Sequence, residues 1–276
     1  MLSNVGTVLA SYISHQRLHA EILLAHTLAV NRAHLHTYPE QILTSTQQSD
    51  FEKLMNRYIS GEPMAYLTGC QAFWSMDLRV TSATLIPRPE TELLVELALQ
   101  ISSDSKMIVA DLGTGSGAVA LALANERPDW DIYATDMSVD ALWVAKKNAE
   151  RLKINNILFS QGDWCDALPK HLFDIIVSNP PYVTIGDVHL AKSVYDYEPH
   201  AALFSRDNGL SDIRRIISRA LNYLKPGAYL MLEHGFQQAE DVRILLAESG
   251  YVEIKTATDL AGLDRVTMGK KAIVIA

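Results

Sequence analysis

Four consecutive residues, Asn179, Pro180, Pro181 and Tyr182, combine a stiff backbone with a cluster of hydrogen-bond acceptors. The paired prolines fix φ and lack amide hydrogens, so the loop offers carbonyl oxygens without competing donors. The Asn179 side-chain oxygen and the Pro180 carbonyl can each accept one hydrogen of a planar NH2 group, with the Tyr182 ring as a wall. The four residues predict a substrate site for an amide or amino nitrogen, in which Asn179, Pro180 and Tyr182 are catalytic. A rigid loop without chemistry is the plainer alternative.

A glycine-rich loop, Gly113-Thr114-Gly115-Ser116-Gly117, follows a mostly apolar segment and precedes a helical pattern. Glycines permit positive φ and keep side chains away from a ligand that lies against the backbone, so amide groups and the helix N-terminus face the site. Such a loop is typical of a nucleotide-cofactor site. Its spacing differs from that of the dinucleotide fingerprint, but Ala118 stands where the third small residue belongs, so NAD stays open.

Two acidic residues and a tryptophan at later strand ends complete the predicted cofactor site. Asp136 follows the glycine loop by about 20 residues, where a carboxylate can accept both hydroxyl hydrogens of an adenosine ribose. Asp163 and Trp164 follow the next strand, where an acceptor beside an aromatic wall suits the amine and the ring face of adenine. Carboxylates that only cap turns, and core packing of Trp164, are the alternatives.

Alternating strand and helix patterns surround these residues and predict an α/β fold with an open, mostly parallel, doubly wound sheet. The carboxyl ends of parallel strands meet at one edge, which is where these loops fall. The predicted strands are 107–111, 131–135, 157–161, 173–178, 228–233, 251–256 and 271–275; the predicted helices begin after Pro89 and cover 118–125, 139–152, 210–223 and 237–249.

The first part of the chain has a different pattern. From Val5 to Ile59 apolar residues recur at helical spacing, which predicts a small helical bundle. Gly61 and Pro63 interrupt it, and the shorter alternating segments of residues 66–85 predict a connecting β-hairpin. We therefore expect a helical domain with the start of the hairpin over residues 1–75 and a catalytic domain over residues 76–276.

Composition narrows the classes of partner. The 276 residues carry a formal net charge of −8 and a pI near 5.6, which opposes long-range attraction to nucleic acid. The two cysteines lack metal or disulfide spacing and the N-terminal histidines lack a metal-site pattern, so we expect no metal. No signal peptide and no apolar run of about 18 residues is visible, so we expect a soluble cytoplasmic protein without a membrane partner. The residues concerned are Cys70, Cys165, His15, His19, His26, His34 and His36.

Taken with these motifs, the chain resembles the class I methyltransferases that modify amide or exocyclic amino nitrogens. Further segments are similar to the release-factor glutamine methyltransferases, the PrmC or HemK family. They are 61–69 (GEPMAYLTG), 86–92 (IPRPETE), 197–203 (YEPHAAL), 207–210 (DNGL) and 233–235 (EHG). The resemblance spans nearly the whole chain, although 207–209 departs slightly from the usual Asp-Gly and the N-terminal half matches weakly.

The resemblance implies a helical N-terminal domain that binds the substrate protein, a hairpin linker, and a seven-stranded sheet whose last strand runs antiparallel. It implies S-adenosylmethionine as methyl donor, with S-adenosylhomocysteine as product. The implied acceptor is the glutamine of the Gly-Gly-Gln loop of class 1 peptide-chain release factors. The implied cofactor contacts are Gly113, Thr114, Gly115, Ser116, Gly117, Asp136, Trp164 and Asn179, while Asn179, Pro180, Pro181 and Tyr182 grip the glutamine.

Other interpretations stay open at this point. A glutamine methyltransferase acting on a ribosomal protein is the main rival. The same tetrapeptide serves adenine N6 methyltransferases of DNA or RNA, but these usually need a basic groove, which the acidic balance disfavours. A nicotinamide oxidoreductase or a non-catalytic adaptor leaves the tetrapeptide unexplained. Arg88, Glu90 and Thr91 either border the pocket or only cap the helix that follows.

Overall fold

A computed structural model describes residues 3–11, 14–101, 106–188 and 190–273, with the side chains of residues 14 and 15 left out. The side chain of His15 and the end of the predicted strand 271–275 therefore lie outside the described residues. The chain divides into two compact units, Met1–Cys70 with Ala191–Tyr197, and Gln71–Leu190 with Glu198–Ala276. Each unit is described by itself below.

The elements are numbered in chain order. The helices are α1 (Val5–Ala10), α2 (Ser14–Leu28), α3 (Arg32–Thr37), α4 (Ser45–Ile59), α5 (Met64–Thr68), α6 (Glu92–Ile101), α7 (Ala118–Glu126), α8 (Val139–Leu152), α9 (Lys192–Tyr197), α10 (His200–Leu203), α11 (Arg206–Gly209), α12 (Ser211–Ala220) and α13 (Ala239–Glu248). The strands are β1 (Cys70–Phe73), β2 (Met76–Arg79), β3 (Ile108–Leu112), β4 (Asp131–Asp136), β5 (Ile157–Gln161), β6 (Phe173–Ser178), β7 (Val183–Thr184), β8 (Phe204–Ser205), β9 (Leu224–Glu233), β10 (Tyr251–Thr258) and β11 (Asp264–Lys271). Two 3-10 turns cover Pro89–Thr91 and Trp164–Ala167.

The first unit is helical, as the spacing of its apolar residues predicts. Helix α4 begins with a capping box, in which the Thr44 side chain accepts from the Gln47 backbone and the Gln47 side chain accepts from the Thr44 backbone. Its apolar positions Phe51 and Met55 lie one turn apart on the buried face. They pack in one core with residues of α1, α2 and α5. A bundle with its own core is the result.

The second unit contains a seven-stranded sheet in the order β10-β11-β9-β6-β3-β4-β5. Strands β5, β4, β3, β6 and β9 are parallel neighbours, whereas β11 runs antiparallel to both β9 and β10. Successive residues of a strand face opposite sides of the sheet: Ile175 and Val177 of β6 belong to one core cluster, and Ile176 between them belongs to the other. The predicted doubly wound α/β fold with an antiparallel last strand is confirmed.

Two predicted boundaries are wrong. Residues 64–68 form helix α5, and the hairpin consists of the shorter strands β1 and β2. The last strand covers Asp264–Lys271 and not 271–275. It lies between two neighbouring strands, and its buried positions include Thr267, bonded to His234, and Gly269, closely approached by Tyr251. A strand between two others can contain polar residues when tertiary contacts satisfy their hydrogen bonds. The pattern of apolar residues therefore predicted the wrong segment for the last strand.

Candidate active site

The carboxyl ends of β3, β4 and β6 are aligned. Leu112 of β3 is paired with Thr135 of β4 and with Ser178 of β6, and Ser178 is paired in turn with Leu232 of β9. The loops that follow these strands therefore start at one edge of the sheet, as expected for parallel strands. Asn179 directly follows β6, and Glu233 is the last residue of the adjacent strand β9.

A cavity of about 210 Å³ lies at this edge of the second unit. It brings together eight of the predicted cofactor residues: Gly113, Thr114, Gly115, Ser116, Asp136, Asp163, Trp164 and Asn179. The remaining lining residues are Ala83, Thr84, Leu85, Pro87, Arg88, Thr91, Asp111, Ala118, Val119, Met137, Ser138, Ala141, Pro181, Pro199, Ala201 and Ala202.

The glycine loop is held by its own conformation and by β4. Gly113, Gly115 and Gly117 have φ of 72°, 57° and 86°, in the left-handed region that favours glycine. The backbone amides of Gly113 and Thr114 donate to Thr135 O at 2.8 and 2.9 Å. These bonds fix the start of the loop at the end of β4, and Gly113 and Gly115 line the cavity with backbone atoms alone.

Gly117 does not line the cavity. It forms the N-cap of α7, and a Cβ there would lie 2.9 Å from Leu121 Cδ1 and 3.2 Å from Ala145 Cβ. The structure thus places the third glycine at a close approach between helices, which differs from the predicted contact with the cofactor.

Asp111 is a cavity residue that the sequence reasoning missed. Its Oδ2 accepts from the Thr114 hydroxyl at 2.7 Å and from the Ala120 backbone at 3.1 Å, and the residue is almost fully buried. Burial raises the pKa of its carboxyl to about 6, against the opposing effect of these hydrogen bonds. An acidic residue inside an otherwise apolar strand, two residues before a glycine loop, is the signal that identifies such a position.

Asp136 lies where the sequence predicts a ribose acceptor. Its Oδ2 accepts from the Gly115 backbone at 2.9 Å and its Oδ1 accepts from the Ser138 backbone at 2.8 Å. Burial raises the pKa of Asp136 while these bonds oppose the rise. Because a carboxylate oxygen has more than one acceptor site, each oxygen can still accept a ligand hydroxyl.

Asp163 and Trp164 both line the cavity, with different surroundings. Asp163 Oδ2 forms an ion pair with Arg215, and both side chains are nearly half exposed. Trp164 adopts a left-handed conformation with φ of 47°, which is uncommon for a residue with a bulky side chain. A Cβ on Gly113 would lie 2.8 Å from the Trp164 ring, so the glycine permits the indole to lie against the loop.

The predicted substrate residues separate into two pairs. Asn179 and Pro181 line the cavity, whereas Pro180 and Tyr182 do not. The Asn179 amide nitrogen Nδ2 donates to Thr91 Oγ1 at 3.1 Å. Among the described residues no hydrogen bond reaches Asn179 Oδ1.

Tyr182 is turned toward the sheet. Its hydroxyl donates to Glu233 Oε1 at 3.1 Å, and burial together with the charge of Glu233 raises the pKa of Tyr182. Burial also raises the pKa of Glu233 to about 7, a shift that the Thr91 and Tyr182 hydroxyls and the charge of Arg265 oppose. The hydroxyl is therefore committed to the end of β9, and the ring as a wall of the substrate site stays a prediction.

The backbone at Tyr182 is braced from two directions. Gln238 Nε2 donates to Tyr182 O at 3.0 Å and to Asn208 O at 2.9 Å, and Gln238 Oε1 accepts from the Gly235 backbone. Gly209 has φ of 84°, and a Cβ there would lie 2.0 Å from Tyr182 O. The segments 207–210 and 233–235, which carry part of the resemblance, thus contact the tetrapeptide loop.

The buried carboxylate of Glu198 holds the segment 86–92 at the cavity. Glu198 is almost fully buried; it forms an ion pair with Arg88 and accepts from the Ile86 backbone at 3.1 Å. Pro199, Ala201 and Ala202 follow it along the cavity wall. The structure thereby gives Arg88 a partner and a lining position, which helix capping does not explain.

Within the part of the chain that the structure describes, no group of three or more His, Cys, Asp or Glu residues is placed to hold a metal ion. Several of the N-terminal histidines have polar partners: His19 with Tyr58 at 2.8 Å, His34 with Gln41 at 2.8 Å and His36 with Glu21 at 3.3 Å. In the same residues no helix is both long and apolar enough to cross a bilayer.

A sheet of this order, with a glycine loop, an acidic strand end and a cavity at its carboxyl edge, defines a class I methyltransferase fold. Residues 103–261 match the family model described as a methyltransferase domain, and residues 2–69 match the one described as the PrmC N-terminal domain. The chain is similar to the release factor glutamine methyltransferase of Escherichia coli K12, at 45% identity over 92% of each chain. It is similar to that of Coxiella burnetii, at 46% identity over 97% of this chain and 96% of the relative.

The protein belongs to the release factor glutamine methyltransferase family. Solved structures agree on the fold. A methyltransferase from Pyrococcus furiosus superposes with a TM-score of 0.56 at 18% identity, over 83% of this chain and 100% of that one. A T. thermophilus 16S rRNA methyltransferase solved with AdoMet and guanosine gives a TM-score of 0.52 at 20% identity, over 73% and 49% of the two chains.

Proposed function

We propose that this protein transfers a methyl group from S-adenosylmethionine to the side-chain nitrogen of the glutamine in the Gly-Gly-Gln loop of class 1 peptide-chain release factors. The relatives named as release factor glutamine methyltransferases support it, because they align over more than nine-tenths of both chains. The observation that carries the proposal is the bond from Asn179 Nδ2 to Thr91. It commits the amide nitrogen and leaves the amide oxygen to accept from a substrate NH2.

The residues of the cavity fit the proposed cofactor. Both oxygens of Asp136 retain acceptor sites for the two ribose hydroxyls, and the indole of Trp164 offers an apolar face for adenine. Positive φ at Gly113 and Gly115 lets a ligand lie against the loop backbone. Asp163 is the proposed acceptor for the adenine amine. When bound, S-adenosylmethionine supplies an electrophilic sulfonium methyl carbon.

The tetrapeptide loop orients the nitrogen in this proposal. An amide nitrogen is a poor nucleophile because its lone pair is delocalised, so it must be held with its out-of-plane electron density toward the methyl carbon. Asn179 Oδ1 and the Pro180 carbonyl accept its two hydrogens, and these bonds strengthen as the nitrogen gains positive charge. Pro181 keeps the loop stiff, and Tyr182 supports it from the sheet. Methyl transfer converts S-adenosylmethionine to S-adenosylhomocysteine, and the methylated nitrogen then loses one of its two protons to become a neutral amide.

Two variants separate nitrogen orientation from cofactor binding. We expect Asn179→Ala to lower single-turnover methylation at saturating cofactor by about 100-fold or more, with cofactor affinity in titration calorimetry little changed. We expect Asp136→Ala to weaken cofactor affinity. Near-normal methylation by Asn179→Ala contradicts the assignment of that residue, and unchanged affinity in Asp136→Ala moves the ribose contact elsewhere.

Labelling of several candidate substrates in separate reactions tests the identity of the methyl acceptor. Purified protein and radiolabelled S-adenosylmethionine are incubated with release factor, with a release factor whose Gly-Gly-Gln glutamine is replaced, with ribosomal protein, or with DNA. We expect label only on the unaltered release factor. Label on ribosomal protein or DNA instead supports the corresponding rival. We further propose that the N-terminal helical domain binds the release factor, which its match to the PrmC N-terminal domain supports.

A further inference from the structure

The ionisable side chains that line the cavity are unevenly divided between acids and bases. Three are carboxyl groups, on Asp111, Asp136 and Asp163, and one is a guanidinium, on Arg88. Among the described residues no other Lys, Arg or His side chain lines the cavity. S-adenosylmethionine carries a positive ammonium, a positive sulfonium and the negative carboxylate of its methionine part. That carboxylate therefore has a single cationic partner in the lining.

Glu198 holds Arg88 in place. The Glu198 side chain is 1% exposed; its Oε1 accepts from Arg88 Nη2, and its Oε2 accepts from the Ile86 backbone at 3.1 Å. The Arg88 side chain, in contrast, is 31% exposed. In the described part of the chain Glu198 is the only hydrogen-bond partner of the guanidinium, which has several N–H donors in a planar fork. The other donors remain for a ligand in the cavity.

Arg88 lies toward the end of the cavity that contains Asn179. The Arg88 carbonyl accepts from the Thr91 backbone at 3.1 Å, and the Thr91 hydroxyl accepts from Asn179 Nδ2 at 3.1 Å. Asn179 follows β6, whereas Asp163 and Trp164, the proposed adenine contacts, follow β5, with β3 and β4 between these two strands. The adenosine and the amino-acid chain of S-adenosylmethionine extend from the sulfur in different directions. Adenine near the end of β5 therefore places the carboxylate on the side of Arg88.

We propose that Arg88, held in place by Glu198, binds the methionine carboxylate of S-adenosylmethionine. This inference deepens the proposed function and rests on it for the identity of the cofactor. A carboxylate matches the planar fork of arginine through two parallel N–H···O bonds. Because the buried Glu198 already restrains the guanidinium, little side-chain entropy is lost when the ligand binds. The site thereby selects ligands whose amino-acid carboxylate is intact.

Decarboxylated S-adenosylmethionine, in which a hydrogen replaces the carboxylate, is the matched ligand for the test. Titration calorimetry at constant ionic strength gives the dissociation constants of both ligands for each protein. We expect the wild type to bind S-adenosylmethionine about 10- to 100-fold more tightly than the decarboxylated ligand, the range for hydrogen bonds between charged groups. Arg88→Gln should weaken S-adenosylmethionine binding by about that factor and leave the affinity for the decarboxylated ligand little changed.

A second variant guards against loss of the fold. Arg88→Gln leaves the buried Glu198 carboxylate without its cation, which destabilises the protein. The Arg88→Gln/Glu198→Gln double variant removes both charges and should lose the ligand preference to the same extent. Arg88→Lys keeps the positive charge but not the planar fork, so it should retain only part of the preference. The thermal midpoint of every variant is measured alongside.

Arg215→Gln is the matched control for a general effect of charge. Arg215 pairs with Asp163 but does not line the cavity, so this variant removes a nearby cation without removing a proposed ligand contact. It should keep the wild-type preference for S-adenosylmethionine over the decarboxylated ligand. A preference that survives in both Arg88→Gln and the double variant, or that falls equally in Arg215→Gln, overturns the proposal.

Binding and methylation together separate this inference from the proposed function. Wild-type protein that binds both ligands equally overturns the role of Arg88 and leaves the proposed cofactor in place. Wild-type protein that binds neither ligand contradicts the proposed cofactor, and this inference with it. Wild-type protein that prefers the ligand with the carboxylate but leaves release factor unlabelled contradicts only the proposed substrate.

Discussion

The two loops that meet at the cavity obtain their shape in different ways. The glycine loop follows β3 and is fixed by the strands next to it: the Thr114 hydroxyl donates to Asp111 of β3 at 2.7 Å, and the Gly113 and Thr114 amides donate to Thr135 O of the adjacent β4. The tetrapeptide loop follows β6 and is braced by Thr91, Gly209, Glu233 and Gln238, which lie far away in sequence. The conformation of the first loop should therefore be insensitive to substitutions in distant segments. The conformation of the second loop depends on contacts that those segments supply.

Alanine substitutions at Gly209, which packs against the tetrapeptide loop, and at Gly115 of the glycine loop give the largest expected contrast. A Cβ at Gly209 would lie 2.0 Å from Tyr182 O and 2.6 Å from Gln238 Nε2, and a Cβ at Gly115 meets nothing within 4 Å. Both positions have positive φ, so the shared strain costs each variant about 1 kcal/mol. We expect Gly209→Ala to lose about 4 kcal/mol or more in the free energy of unfolding, because backbone must move.

Urea unfolding and single-turnover methylation measure this contrast. Gly209→Ala should also lose methylation at saturating cofactor, since the displaced Tyr182 carbonyl carries the loop with it. Gly115→Ala should lose only about 1 kcal/mol, the cost of the strained backbone conformation. Equal stability losses in the two variants remove the distinction between a locally fixed loop and a braced one.

The pH dependence of stability tests the anchor of the glycine loop. Burial penalises the charge of the Asp111 carboxyl and raises its pKa in the folded protein from the ordinary 3.8 to about 6. A folded-state pKa above the unfolded one means that the native state binds the proton more tightly. Stability from this group is therefore full below pH 4 and falls as pH rises from about 4 to about 6, by on the order of 3 kcal/mol.

Asp111→Asn removes that ionisation and can keep an oxygen for the Thr114 and Ala120 donors. We expect the difference in unfolding free energy between wild type and Asp111→Asn to change across pH 4–6 and to stay constant above about 6.5. Chemical denaturation at a series of pH values measures it. A difference that is flat across that window shows that Asp111 does not carry the shift.

The smallest effect is expected at the exposed pair of Arg215 and Asp163. Both side chains are nearly half exposed, so solvent screens the pair and Arg215→Ala should change stability by less than about 1 kcal/mol. If Asp163 accepts the adenine amine, Asp163→Ala should weaken S-adenosylmethionine binding in calorimetry far more than Arg215→Ala does. Equal weakening in the two variants assigns Asp163 to the ion pair and not to the cofactor.

Much of the site was visible in the sequence because its chemistry is local. The glycines, Asp136 and Asn179 follow strands whose pattern is clear, and the alignment of parallel strand ends brings them to one edge. The sequence placed Tyr182 at the substrate, yet the structure places its hydroxyl on Glu233, 51 residues away. It left the role of Thr91 open, and Thr91 bonds Asn179 across 88 residues. No local pattern reports such a contact.

The sequence by itself determined the class of fold, the edge of the sheet that bears the site, and the type of nitrogen that the tetrapeptide suits, because periodicity and backbone restriction act over a few residues. Tertiary structure alone decided which side chains face the cavity, the burial that raises the pKa of Asp111 and Glu233, and the strand that lies between β9 and β10. These properties depend on desolvation and on partners from distant segments, and both arise only when the chain has folded.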